Sequence, residues 1–303
     1  MTGVRDLSGL VGLVAGGSRG ATRAIAIELA NAGVIVHVTG RTTRNHPSPM
    51  RRRETIDDAV DQIHAAGGMA FAHHVDHSDA RSVQHLVEQI AEQHDGHLDI
   101  VVNGVWGGDP IVDWNHPFWE QPVSIGLALL RQAVETHIIT SVTAVPLLVA
   151  RRRGLLIELT DGRRGDPYRG SLYYDLAKEQ VARLAYAMAE ELRPYGVTAL
   201  ALAPGFLRSE AMLDTFGVTE ENWRDGIARD PHFAVSESPL LVGRCAVALA
   251  ADPQILDRSG DSLASWDLAR EYNLTDVDGS QPDWGGYYRQ LASGQRPDPA
   301  DYR

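Results

Sequence analysis

The chain has 303 residues, 44% of them hydrophobic, a formal net charge of −12 and one cysteine, Cys245. The charge argues against a nucleic-acid partner, because phosphate binding needs concentrated positive charge; the lone cysteine excludes an internal disulfide and points to a reducing compartment. No apolar run approaches the roughly 18 residues of a membrane span and the N-terminus lacks an apolar leader, so the expectation is a cytoplasmic protein with no membrane partner.

In chain order, residues 10–15 read as an apolar strand, followed by a glycine-rich turn and a helical pattern over 21–32. Residues 34–39 form a second strand, and a polar insertion spans 41–53, with Pro47 and Pro49 marking loop. Thr55 with Asp58 starts the next helix, which stops at Gly67-Gly68. A third strand covers 69–75, a helix 80–93 and a fourth strand 98–103. An aromatic-rich loop runs from Trp106 to Trp119, then a helix over 124–150 whose end Pro146 disturbs. A fifth strand (155–160), a long helix (174–193) and a sixth strand (197–203) complete the alternation. Near-continuous apolar strands alternating with helices imply an α/β fold, a doubly wound parallel sheet covered on both faces. One domain is expected over residues 1–268, with a substrate-side insertion at 206–240 and a polar C-terminal extension at 269–303.

The first turn, Ala15-Gly16-Gly17-Ser18-Arg19-Gly20-Ala21-Thr22, lies between a strand and a helix. In that context glycines let the backbone approach a pyrophosphate, whose charge meets the helix N-terminus. Gly16, Ser18, Arg19, Gly20 and Ala21 are therefore candidate dinucleotide contacts. At the end of the second strand a carboxylate would bind the ribose 2′-hydroxyl of NAD. This chain has Gly40-Arg41-Thr42 there, and Arg41 together with Arg19 suits a 2′-phosphate. NADP(H) is thus favoured over NAD(H).

Of 28 basic side chains only Lys178 is a lysine. It follows Tyr174 by four residues, so on a helix both side chains share one face. An ammonium is a compact point charge with mobile donors, which a fixed guanidinium is not.

Gly16-x-x-x-Gly20, Asn103-Gly104, Tyr174-x-x-x-Lys178 and Pro204-Gly205 stand in this order, and with them the chain resembles the short-chain dehydrogenase/reductase family. A closer similarity, to the group called dehydrogenase/reductase SDR family member 1, rests on Phe118-Trp119-Glu120, residues 243–250 with Asp252-Pro253, residues 267–270 and residues 276–279. The resemblance implies a Rossmann-type fold and hydride transfer between a nicotinamide and the carbonyl or alcohol of a mainly apolar small molecule. It implies Tyr174 as general acid/base and Lys178 as the ribose-binding cation that lowers the phenol's pKa. It also sets Asp76 against adenine, Asn103 near the adenosine ribose, and Pro204, Gly205 and Ser209 at the nicotinamide amide. A homodimer or homotetramer is a further family expectation.

Three departures from the family pattern stand out. Thr22 replaces the third glycine of the turn. The family's serine falls at Thr160 or Asp161, with Ser171 as a substitute from the following loop; a carboxylate there would repel a developing oxyanion. The asparagine that anchors the proton relay is Ala133. These departures leave open an alternative reading, a catalytically weakened NADP-binding sensor or scaffold.

Other clusters admit plainer explanations. His73 and His74 point to opposite faces of a strand and cannot share a metal ion. Trp106, Trp114, Phe118, Trp119, Phe206, Met212, Phe216 and Trp223 line a pocket or pack as a lid. Arg163, Arg164 and Arg169 bind an anionic substrate or sit in solvent as loop charges.

Overall fold

The computed structural model describes residues 5–48 and 50–303; the readings at residues 1–4 and at Pro49 fall outside them. Strands β1 (Val11–Ala15), β2 (Ile35–Gly40), β3 (Met69–His74), β4 (Ile100–Asn103), β5 (Gly154–Leu159), β6 (Val197–Ala203) and β7 (Ser262–Ala264) form one sheet. Their order is β3-β2-β1-β4-β5-β6-β7, with every adjacent pair parallel. β1 and β6 are buried along their whole length, which is why they read as unbroken apolar runs.

Helices α1 (Gly20–Asn31), α2 (Ile56–Ala65) and α8 (Pro239–Ala251) cover one face of the sheet. α3 (Ala80–Gln93), α5 (Thr136–Arg151) and α6 (Leu172–Leu192) cover the other. Each fully buried Leu, Ile or Val contributes roughly 1.5–3 kcal/mol through area removed from water. The start of α2 is the expected one. Thr55 Oγ1 accepts from the Asp58 N–H at 3.0 Å and the Asp58 carboxylate accepts from the Thr55 N–H at 3.3 Å, a reciprocal cap.

α4 (Val123–Leu130) runs through a π-turn (Arg131–Glu135) into α5, making one helix of 29 residues. The helix expected over 124–150 is therefore present, and by length and composition alone it could cross a membrane, although Arg131 and Glu135 interrupt its apolar run. In this fold Ala144 and Leu148 are buried against the sheet, while Leu127, Ile138 and Val142 are exposed. Pro146 does not end the helix, which continues to Arg151 and stops at Arg152 with φ 52°. The carbonyl that Pro146 leaves without a partner belongs to Val142, on the outward face, where water can satisfy it.

Thr22 is accommodated because its neighbour is a glycine. Thr22 Oγ1 lies 3.4 Å from the Gly104 carbonyl oxygen, and a Cβ at position 104 would sit 2.3 Å from that hydroxyl. Gly104→Ala is therefore expected to cost about 1–3 kcal/mol by overpacking, with Thr22→Ala in the same chain recovering most of it; urea unfolding of the three variants checks this.

After β6 the chain forms α7 (Glu210–Phe216) and a run of 3-10 turns, and after β7 it forms α9 (Ser265–Glu271) and α10 (Trp284–Ala292). These two regions are joined by a buried ion pair. The Arg208 guanidinium, fully buried, donates to Asp276 Oδ2 at 2.9 Å, to the Ser236 carbonyl at 2.7 Å and to the Glu220 carboxylate at 2.8 Å. Arg208 also lies over the Trp223 ring, as does Arg303 from the chain's last residue.

Candidate active site

The C-terminal ends of β1 to β6 open into one cleft of about 820 Å³, at the switch point between β1 and β4. Of the expected site residues, Gly16, Ser18, Arg19, Gly20, Ala21, Arg41, Asp76, Thr160, Asp161, Tyr174, Lys178, Pro204, Gly205 and Ser209 all line it. Asn103 does not. It ends β4 as expected, and its side-chain amide turns to β5 and α5, donating to Glu158 Oε1 at 2.7 Å and Ser141 Oγ at 2.8 Å.

At the dinucleotide end Gly16 has φ +85°, and a Cβ there would meet the Gly104 carbonyl oxygen at 2.9 Å. The turn hugs the neighbouring loop and leaves the α1 N-terminus facing the cleft. That N-terminus already holds an anion: the Gly20 N–H donates to Glu210 Oε2 at 2.8 Å, with Arg23 at 3.7 Å from the same carboxylate. A carboxylate seated there shows that the geometry suits a pyrophosphate oxygen. Arg41 pairs with Asp76 at 3.6 Å, and Arg19 lies against Met50. Burial raises the Asp76 pKa, but donation from Ser78 and the nearby Arg41 outweigh it and hold the carboxyl below its usual range.

At the reactive end the Thr160 and Asp161 alternatives separate. Thr160 is buried and its hydroxyl donates to the Lys178 carbonyl at 2.7 Å, tying β5 to α6. Asp161 instead faces the phenol: Tyr174 Oη donates to Asp161 Oδ2 at 2.7 Å. Ser171 is buried with its hydroxyl unpartnered and does not line the cleft. Tyr174 is wedged between Trp106 and Trp114, at ring-centroid distances of 5.7 and 5.0 Å. Lys178 Nζ lies over Trp106 at 3.9 Å and over the Tyr174 ring at 5.5 Å.

Burial pushes the phenol well above its ordinary pKa, and the Asp161 and Asp109 carboxylates push it further; Arg169 alone opposes them. Lys178 is lowered by burial, against the pull of Asp161. The depressed phenol expected from sequence is thus not what these surroundings produce. Arg169 is occupied, pairing with Asp175 at 2.8 Å and Glu179 at 3.7 Å. Arg163 pairs with Asp267 and Arg164 lies over Tyr186, and neither lines the cleft.

Sequence reading divided the aromatics only in part. Trp106, Trp114, Phe206 and Met212 line the cleft, Phe118 and Trp119 are exposed outside it, and Phe216 and Trp223 pack on Phe233. It missed Trp284 and Tyr288, which bring α10 to the cleft wall. It also missed His137, one helical turn beyond Ala133. Its Nδ1 meets Glu158 Oε2 at 2.6 Å and its Nε2 faces the Val105 carbonyl at 3.2 Å, pinning the loop after β4. Ala133 itself is buried in the π-turn against Ala177 and Val181. No metal-ligating cluster occurs among the described residues; His73 bonds His37 while His74 stacks on His46.

Beneath the Pro204-Gly205 loop lies Glu237, fully buried. One oxygen accepts from Ser265 Oγ at 2.6 Å, that hydroxyl accepts from the Gly205 N–H at 3.1 Å, and the other oxygen has no partner. Burial pushes its pKa to about 8 from 4.5, despite the bonds to Ser265 and Gly205. In the unfolded chain this acid ionises first, so stability falls as pH rises from 4.5 to about 8. The total is on the order of 5 kcal/mol. Glu237→Gln is expected to flatten that slope, read as urea midpoints on either side of the window.

The family model described as short chain dehydrogenase matches residues 11–217. Dehydrogenase/reductase SDR family member 1 of Mus musculus is 34% identical over 280 residues, covering 91% of this chain and 86% of that protein. Among solved structures, a short-chain dehydrogenase of Mycobacterium thermoresistibile is 25% identical, with a TM-score of 0.75 and 92% of each chain covered. A metagenomic short-chain oxidoreductase in complex with NADP is 23% identical, with a TM-score of 0.64 over 85% of this chain and 96% of that one. On the extent of these matches and on its own ordered motifs and sheet, the chain belongs to the short-chain dehydrogenase/reductase family and is an NAD(P)-dependent oxidoreductase of small molecules.

Proposed function

We infer that the protein transfers hydride between NADP(H) and a polarised carbon–heteroatom bond of a mainly apolar small molecule, the carbonyl/alcohol pair being the class its motifs imply. The observation that carries this reading is the meeting of Tyr174, Lys178 and Asp161 in the cleft that also holds the glycine turn. The reduced nicotinamide supplies the hydride when bound. Gly16, Ser18, Gly20 and Ala21 would hold the pyrophosphate, which takes the place of the Glu210 carboxylate on α1. Lys178 would hold the nicotinamide ribose, and Pro204, Gly205 and Ser209 the amide. Tyr174 exchanges the proton of the reacting heteroatom, while Trp106, Trp114 and Trp284 exclude water.

NADP is preferred in this reading because β2 ends in Gly40-Arg41, with no carboxylate for a 2′-hydroxyl, and Arg19 stands opposite. Arg41→Ala is expected to weaken NADPH about tenfold while leaving NADH nearly unchanged; calorimetric titration of both nucleotides measures the difference. A homodimer or homotetramer is supported by the exposed apolar residues Leu127, Ile138 and Val142 beside Leu172 and Leu176 of α6, and light scattering reports the mass.

The direct test is NADPH consumption against a panel of carbonyl and imine compounds. Turnover of any member supports the reading. NADPH-dependent protection against unfolding with no turnover at all would instead favour the sensor alternative, for which the Asp161 carboxylate facing the Tyr174 hydroxyl is the supporting observation.

A further inference from the structure

The residue facing Tyr174 in the cleft is a carboxylate that belongs to no direct ion pair. Among the described residues no Lys, Arg or His nitrogen lies within 4.0 Å of an Asp161 oxygen; its one hydrogen bond is from the Tyr174 hydroxyl. The Asp161 charge is felt by Lys178 and by Arg169, but Arg169 is paired with Asp175 and Glu179. The cleft that Asp161 lines also presents the rings of Trp106, Trp114, Tyr174, Trp284 and Tyr288. Trp106 already hosts a cation over its face, the Lys178 ammonium. A carboxylate outside any direct ion pair, in a cleft lined by aromatic rings, is an environment for a positive charge. It is a poor one for an oxyanion.

From this juxtaposition we propose that the preferred electrophile is an iminium, a protonated or N-alkylated carbon–nitrogen double bond, rather than a carbonyl. The proposal rests on the oxidoreductase reading above and names its substrate class. Asp161 holds the cationic nitrogen, and the flanking rings cover its carbon substituents. The iminium carbon accepts hydride, with its electron pair, from the reduced nicotinamide cofactor. The C=N π pair moves to nitrogen as a lone pair, giving a neutral amine and the oxidised nicotinamide. No proton moves in that step, so Tyr174 need not ionise beside Asp161. A ketone makes the opposite demand. Its oxygen becomes an alkoxide next to a carboxylate, and its proton must come from a phenol that would be left as an anion at the same place. In reverse, an amine loses hydride and the nascent iminium forms against Asp161.

The test pairs two compounds of nearly the same shape, the N-methyl-3,4-dihydroisoquinolinium cation and 1-tetralone, with NADPH and the full-length protein. The wild type is expected to reduce the iminium with kcat/KM at least about 100-fold above the ketone. Asp161→Ser is expected to narrow or invert that ratio, by about the 10²–10³-fold associated with one charge-matching group in an active site. A readout independent of turnover is binding of the product amine, as its ammonium form, followed by tryptophan fluorescence; Asp161→Ser should weaken it about tenfold or more, while NADPH binding by this variant shows that it folds. Tyr174→Phe should cost the ketone more than it costs the iminium. Ketone preference in the wild type, or a selectivity ratio unmoved by Asp161→Ser, overturns the substrate class and leaves the oxidoreductase reading standing. NADPH binding with turnover of neither compound, nor of the wider panel, removes both.

Discussion

Tyr174→Phe is expected to lower kcat/KM by about 10²–10⁴-fold for any substrate that must exchange a proton, the range that a positioned general acid/base supplies. NADPH affinity should stay within about twofold, because the lost group is a single oxygen. The phenyl ring keeps its place between Trp106 and Trp114, so the change removes the hydroxyl and its bond to Asp161 without opening a cavity. Steady-state kinetics on a carbonyl substrate, beside nucleotide titration of the same protein, checks both halves. Full activity in the variant would remove Tyr174 from the chemistry. The pH profile carries a sign as well. With the phenol pushed up by burial and by two carboxylates, alcohol oxidation, which needs the phenolate, should keep rising into the alkaline range. Reduction, which uses the neutral phenol, should hold over that same range.

The second large effect lies away from the chemistry, at the Arg208–Asp276 pair. Both side chains are fully buried, and Asp276 also accepts from the Ser238 N–H at 2.8 Å. Arg208→Met leaves that carboxylate enclosed without its cation, which typically costs about 3–5 kcal/mol. Asp276→Leu strands the guanidinium in the same way, although the Glu220 carboxylate remains within reach of it. The double variant removes both charges and should be more stable than either single one, and chemical denaturation of the four proteins gives the coupling. Since the pair joins residues 206–240 to the C-terminal segment, the single variants should also loosen the cleft wall at Phe206 and Trp284. Raised KM before any loss of kcat is the kinetic sign of that loosening.

Residues whose role depends on backbone could be placed from sequence. The glycine turn, β6 and the cap at Thr55 all follow from local chemistry, and the parallel sheet follows from their order. The choice between Thr160 and Asp161 could not be made that way. Successive residues at a strand end point in opposite directions, so which one faces the phenol depends on β5 stopping at Leu159. The partners of Asn103, Glu158 and Ser141, could not be read from sequence because they come from elements far along the chain. Sequence reading placed no helix at α10, within a segment that looked polar. Its signal was present in Trp284, Tyr287 and Tyr288, spaced to share one helical face, of which Tyr287 is buried. The Glu237 site had no signal at all, since a lone glutamate before Ser238-Pro239 reads as surface.

Because the chain carries a single lysine, half-buried under Trp106, amine chemistry has one side-chain target in the whole molecule, and it faces the cleft. Acylation counted by intact mass therefore becomes a gauge of cleft access. One added group beyond the terminal amine marks an open cleft, and its suppression by a bound molecule reports occupancy without any coupled assay.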